Sequence, residues 1–188
     1  MKKIFVVAVM ALMTLSVSAQ KIGRVSFSEL VQLMPEADEA RATLKIVSQN
    51  ADEALQDIYQ EYQNKMNQYQ QKQASWTPAI KEAKERELMD MQNRLQENQQ
   101  AFQAEIQQKQ NELMEPIYKK AQDMVQKLAK EAGLTAVFDS SSALYFDEAA
   151  VIDLTPAARK ALKIAEGRTL QSLNEELQAQ AAAEQQKK

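Results

Sequence analysis

The groups able to do chemistry in this 188-residue chain are carboxylates, amines, amides and thioethers, because it has no histidine and no cysteine. With only three glycines it offers no Gly-rich phosphate loop, no nucleophile elbow and no metal-ligand spacing. Carboxylate pairs such as Glu85 and Asp90 lie on polar helix faces, where solvated charge is the ordinary role. The chain therefore reads as a non-enzyme, with no catalytic residue, no cofactor and no metal. Its chemistry is that of soft contact, spread over nine methionines, five tyrosines, five phenylalanines and one tryptophan.

The elements that carry these residues follow from spacing. Ala40, Leu44, Val47, Ala51, Leu55, Ile58, Tyr62, Met66 and Tyr69 recur at steps of three and four, which keeps them on one helix face. A second series runs Leu88, Met91, Leu95, Phe102, Ile106, Leu113, Ile117, Met124 and Leu128, with Asn98 and Lys109 interrupting it. Residues 35–132 hold no glycine and break only at 75–78, so they read as a helical hairpin with its tip there. At 1.5 Å per residue its arms measure roughly 60 Å and 80 Å, which implies an elongated chain. Pro35 and Pro78 sit where first helical residues belong, with Thr77 as N-cap. Gly133 closes the second arm, and Pro116 predicts a kink near 112–116. So long a hairpin cannot bury its stripe within one chain and asks for a partner or a cargo.

The ends bound the compartment. Lys2 and Lys3, an apolar run from Ile4 to about Leu15, and Val17-Ser18-Ala19 read as a secretory signal peptide cleaved after Ala19, with an uncleaved anchor as the alternative. The mature chain is expected in the periplasm, held together without disulfides. The formal net charge is −3, and loss of Lys2 and Lys3 makes it more acidic. A nucleic-acid partner is excluded, because phosphate binding needs concentrated positive charge. Lys119, Lys120, Lys127 and Lys130 form a cationic strip. Its ordinary reading is a solvated face; the alternative is attraction of cargo or anionic lipid, a transient contact with the membrane surface.

The remainder, 20–34 and 133–188, reads as a small β body with flanking helices. Short β-compatible runs fall at 22–25, 135–138, 144–146 and 151–154. Thr155 and Pro156 open a final helix with Leu162, Ala165, Leu170, Leu173 and Leu177 on its apolar face. The fold class is thus α+β, mainly α: a β body split by a projecting, coiled-coil-like hairpin. Four short strands make a marginal core, so strand residues Ile22, Val25, Val137, Leu144, Phe146 and Ile152 are candidates for homo-oligomerisation.

The opening IGRVSFSELVQLMPEA, the Gln-rich arms and the segment AGLTAVFDSSSALYFDEAAVIDLT, with its LYF-D and VIDLT pieces, resemble the Skp/OmpH family of periplasmic chaperones for outer-membrane proteins. The resemblance reaches about Leu162. It implies a trimer whose helical tentacles enclose a cavity, where an unfolded β-barrel precursor is held without ATP before membrane insertion. Met66, Tyr69, Trp76, Ile80, Met89, Met91, Phe102 and Met114 are then candidate client contacts, since methionine adapts to irregular partners and weak contacts add. For each methionine, packing between the arms is the competing role; for Trp76 and Ile80 it is a lid on the turn. No lipopolysaccharide residues are assigned, because the mature chain is acidic where familiar members are basic.

The rival function is a structural coiled-coil spacer or stalk of the cell envelope, which should show an unbroken heptad stripe. Here the second stripe advances about 3.6 residues per step, nearer a straight helix than a supercoiled seam. A membrane-surface helix would need a dense basic face that neither arm has.

Overall fold

The computed structural model describes residues 21–186; the expected leader and its cleavage site lie outside them. In chain order the elements are β1 (Ile22–Val25), α1 (Phe27–Leu33), α2 (Pro35–Lys72), a 3-10 turn (Gln73–Ser75), α3 (Pro78–Glu131), β2 (Ala136–Asp139), a second 3-10 turn (Ser140–Ser142), β3 (Val151–Asp153), α4 (Thr155–Ala161) and α5 (Leu170–Gln185). They divide into two units. Residues 21–33 and 120–186 form the body, and Met34–Lys119 form the arm; the division falls inside α3, whereas the sequence suggests Gly133.

The body's three strands lie parallel in the order β2-β1-β3. Parallel neighbours need a long crossover, and between β1 and β2 the two arm helices supply it. Ile22 to Val25 stand opposite Ala136 to Asp139 on one side, and Ile22 to Arg24 opposite Val151 to Asp153 on the other. The run 144–146, read from sequence as a fourth strand, is not one. Both neighbours of β1 are already in place, and this segment is the connection that carries the chain from one side of β1 to the other. Asx turns bracket it. The Asp139 carboxylate accepts from the Ser141 N–H at 2.9 Å, and the Asp147 carboxylate accepts from the Ala149 N–H at 3.0 Å.

Helix α1 packs on α4 and α5. Leu30, Val31, Leu33, Leu154, Ala158, Leu162, Ile164 and Leu173 are buried, the large aliphatic side chains each contributing about 1.5–3 kcal/mol by leaving water. The expected single final helix is two. After α4 the chain turns through Lys163 at φ 59°; the Lys163 N–H donates to the Lys160 carbonyl at 3.2 Å, and the Ile164 N–H to the Arg159 carbonyl at 2.9 Å. This is a left-handed helix ending on a non-glycine residue. The turn sends Ile164 into the core, and a capping box of Thr169 and Ser172 restarts the helix. Arg159 fastens the break, since its guanidinium donates to the Glu29 carboxylate on α1 and to the carbonyls of Ala165 and Arg168.

The two long helices begin at the prolines named from the sequence. Pro35 opens α2, and the Thr77 hydroxyl accepts from the Ile80 N–H at 3.4 Å at the start of α3. At the far end Gly133, φ 63°, closes α3 in the same left-handed manner, with Leu134 N–H to Ala129 carbonyl at 2.9 Å and Gly133 N–H to Lys130 carbonyl at 3.1 Å. Helix α3 runs unbroken through Pro116. Both Pro116 and Glu112 are exposed, so water can take the carbonyl that the proline leaves without a donor.

Candidate functional site

Within the arm, α2 and α3 pair antiparallel. The Lys65 ammonium donates to the Glu87 carboxylate, the Tyr69 hydroxyl to Glu85, and the Gln92 amide to the Tyr62 hydroxyl at 2.7 Å, so partners move down one helix as they move up the other. Glu87 also accepts from Lys84 at 2.7 Å. The Lys65 bond, then the Lys84 bond, lowers its pKa to about 2; the Lys65 amine is raised, chiefly by the bond to Glu87. Of the paired carboxylates, Glu85 is held by Tyr69, whose hydroxyl pKa it raises, and Asp90 lines a groove of about 440 Å³ with Lys65, Arg86 and Met91.

The apolar stripe along this pair is thinly covered. Ala51, Leu88 and Met91 are buried, whereas Leu55, Ile58, Met66, Tyr69, Leu95, Phe102, Ile106, Leu113 and Met114 are half-buried. Asn98 and Lys109, the polar interruptions, turn to their own helix: Asn98 donates to the Arg94 carbonyl at 2.7 Å and Lys109 to Glu112 at 3.2 Å. Among the candidate contact residues, Met91 is 3 % exposed and belongs to the packing between the helices, which removes it from any open surface. Met89, two residues earlier, is 60 % exposed, and Ile80 is 45 % exposed. Trp76 is half-buried, its ring edge-on to Tyr69 with centroids 5.8 Å apart. Sequence reasoning passed over Ile46 and Tyr59, both exposed. Each stands one residue off a stripe position, Ile46 beside Val47 and Tyr59 beside Ile58, and that offset was the available signal. The cationic residues Lys119, Lys120, Lys127 and Lys130 are all exposed on α3.

In the body, pleat alternation sorts the strand residues. The register sets Gly23, Val137 and Ile152 side by side, and Ile22 with Ala136 and Val151, so Ile22 faces away from Val137 and Ile152. Val25 is buried inside the chain and cannot serve a second one. Leu144 is fully exposed, Ile152 is exposed, and Phe146 is half-buried. Phe138 and Tyr145, absent from the sequence candidates, are exposed as well.

A small parallel-sheet body interrupted by a two-helix arm with a half-open apolar stripe is a mainly helical α+β fold. The comparisons give that class its family. The family model described as outer membrane protein (OmpH-like) matches residues 21–162, and the chain belongs to that family. It is 26 % identical over 148 residues to the chaperone protein Skp of Yersinia enterocolitica, covering 79 % of this chain and 89 % of that one. A crystal structure of an OmpH-like protein from Caulobacter crescentus CB15 has the same fold, with a TM-score of 0.67 at 17 % identity over 77 % of this chain and 85 % of that one. Family and relative support a chaperone role. No helix among the described residues is long and apolar enough to cross a membrane.

Proposed function

We propose that this chain is an ATP-independent holdase that binds unfolded outer-membrane β-barrel proteins in the periplasm and keeps them from aggregating before insertion. The observation that carries the reading is the half-open stripe. From Leu95 to Leu113 no apolar residue of α3 is buried, so the arm keeps a long, mildly apolar surface in water. Barrel strands expose alternate apolar residues and unpaired edges until closure. Many shallow contacts to such a chain add through effective concentration, yet each releases without energy input.

The client surface consists of Met66, Tyr69, Phe102 and Met114 along the stripe, Ile80 and Met89 on open faces, and the free side of Trp76. A homotrimer joined through the body places three such arms around one client. Ile22, Val137, Leu144, Phe146 and Ile152 supply the joining surface, with Phe138 and Tyr145 beside them. The testing experiment dilutes a urea-unfolded barrel protein into the purified chaperone and follows mass by light scattering. A discrete soluble complex with one client per trimer is expected. An oligomer that leaves the barrel to aggregate would reassign the arms to a spacer.

A further inference from the structure

The carboxyl ends of all three strands open on one cleft of about 960 Å³, lined by side chains of Arg24, Ser26, Ser140, Asp153, Thr155 and others from α4 and the turn after it. In open parallel sheets that edge is where ligands bind, because the strand ends and the following loops leave a crevice. The size is that of a small-molecule site.

The polar groups of the cleft fall into two sets. One set is already engaged. Arg24 pairs with Asp153 at 3.0 Å, Arg159 pairs with Glu29, and the Thr155 hydroxyl oxygen accepts from the Ser26 N–H at 3.0 Å. The other set has no partner within the described residues: the ammonium groups of Lys160 and Lys163, the hydroxyls of Ser26 and Ser140, and the Glu166 carboxylate. Thr155 still has its O–H to donate.

We infer that this cleft binds a phosphate ester of a polyhydroxy compound. Both guanidiniums, whose planar fork suits a carboxylate, are occupied by protein carboxylates. What remains is two point-charge ammoniums and three hydroxyls, donors that can converge from several directions on a tetrahedral oxyanion. Glu166 would repel a bare anion but accepts hydrogen bonds from sugar or polyol hydroxyls. Lys163 adds a second argument. It holds a left-handed backbone conformation that favours glycine, and the strained position puts a lysine at the cleft. Lys163, Ile164, Glu166 and Gly167 all lie beyond residue 162, where the family match ends. The cleft is therefore completed by residues outside the stretch that the family model matches.

Calorimetric titration of the purified protein with glucose 6-phosphate tests the inference, with glucose as control. Binding that weakens at least tenfold in Lys160→Gln/Lys163→Gln, and weakens with salt, is expected. Lys163→Gly separates binding from folding: it removes the ammonium while relieving the backbone, so the melting temperature rises as affinity falls. Co-sedimentation with phosphatidylcholine vesicles, with and without phosphatidylinositol 4-phosphate, identifies the source. Lysine-dependent capture by the phosphorylated vesicles assigns a lipid headgroup, and capture of the sugar phosphate alone assigns a soluble ester. Absence of binding in both arms, or binding indifferent to both lysines, would overturn the proposal.

Discussion

Gly23 and Leu134 meet without room for a methyl group between them: a Cβ at position 23 would stand 2.5 Å from Leu134 Cδ1 and 3.3 Å from the Ile152 carbonyl oxygen. Leu134 is the residue that closes the left-handed end of α3, so the centre of the sheet is fitted against the end of the long helix. Gly23→Ala should cost about 1–3 kcal/mol by overpacking, measured by urea unfolding. Leu134→Ala added to it should be less than additive, because the shortened side chain vacates the space; strictly additive losses would show that the two residues do not share it.

Arg159 spans 130 positions to reach Glu29, with both side chains largely covered. Arg159→Met should destabilise the body by about 1.5–3 kcal/mol, the range for a hydrogen bond to a charged group. Because the same guanidinium holds the carbonyls of Ala165 and Arg168, amide exchange between 163 and 169 should quicken more than exchange in α1. Uniform acceleration would instead mean global loosening.

The Lys65–Glu87–Lys84 cluster gives the arm an acid dependence. Glu87 is depressed to about 2 from its ordinary 4.5, so the folded arm binds its proton less readily than the unfolded chain does. Its contribution is complete above pH 4.5 and is lost as pH falls through 2. Lys65 is raised, so its share holds below its ordinary range and is lost only in strong alkali. With roughly a third of each side chain exposed, solvent screening limits the pair to about 0–1 kcal/mol. Lys65→Met should flatten the thermal-stability profile between pH 4.5 and 2, and an unchanged slope would count against the pairing.

Trp76 is the sole tryptophan and its ring meets Tyr69 edge-on. Tyr69→Ala should shift its emission to longer wavelength, increase quenching by acrylamide and lower arm stability by about 0.5–1.5 kcal/mol. An unaltered spectrum would mean that the ring pair does not persist in solution.

Ile80 and Met89 are open to water while Met91 is packed. Ile80→Ser/Met89→Ser should leave the melting temperature within a degree or so, as surface changes usually do, while several-fold more protein becomes necessary to suppress barrel aggregation. Met91→Ala should do the opposite, costing about 2 kcal/mol of stability through a cavity with little direct effect on capture at low temperature.

The arm was legible because its signals are local. Pro35, Pro78, Thr77 and Gly133 mark helix ends by their own backbone chemistry, and the three-four spacing needs only one helix turn to read. The body was legible in content but not in arrangement. The 144–146 run looks like a strand by composition, and only the pairing of β1 on both sides shows that it must serve as a connection. The end of α4 was missed because Lys163 takes a conformation that sequence reasoning reserves for glycine or asparagine. Arg159 was missed for another reason: its partner Glu29 lies at the opposite end of the chain, beyond any periodicity. On the arm, spacing placed Met91 on the apolar stripe but could not separate it from Met89, since exposure depends on the facing helix.

The order β2-β1-β3 also dictates a sequence of events. The central strand is the first to be made, and its nearest partner follows it by roughly 110 residues, a separation whose closure as a flexible loop would cost about 4 kcal/mol. Helices with i to i+4 bonds form from nearby residues and need not wait. Once α2 and α3 zip together from the turn at Thr77, the ends of that long loop are drawn close and the remaining search is short. The arm is thus also the segment that assists its own chain, converting a slow non-local strand pairing into a nearly local one.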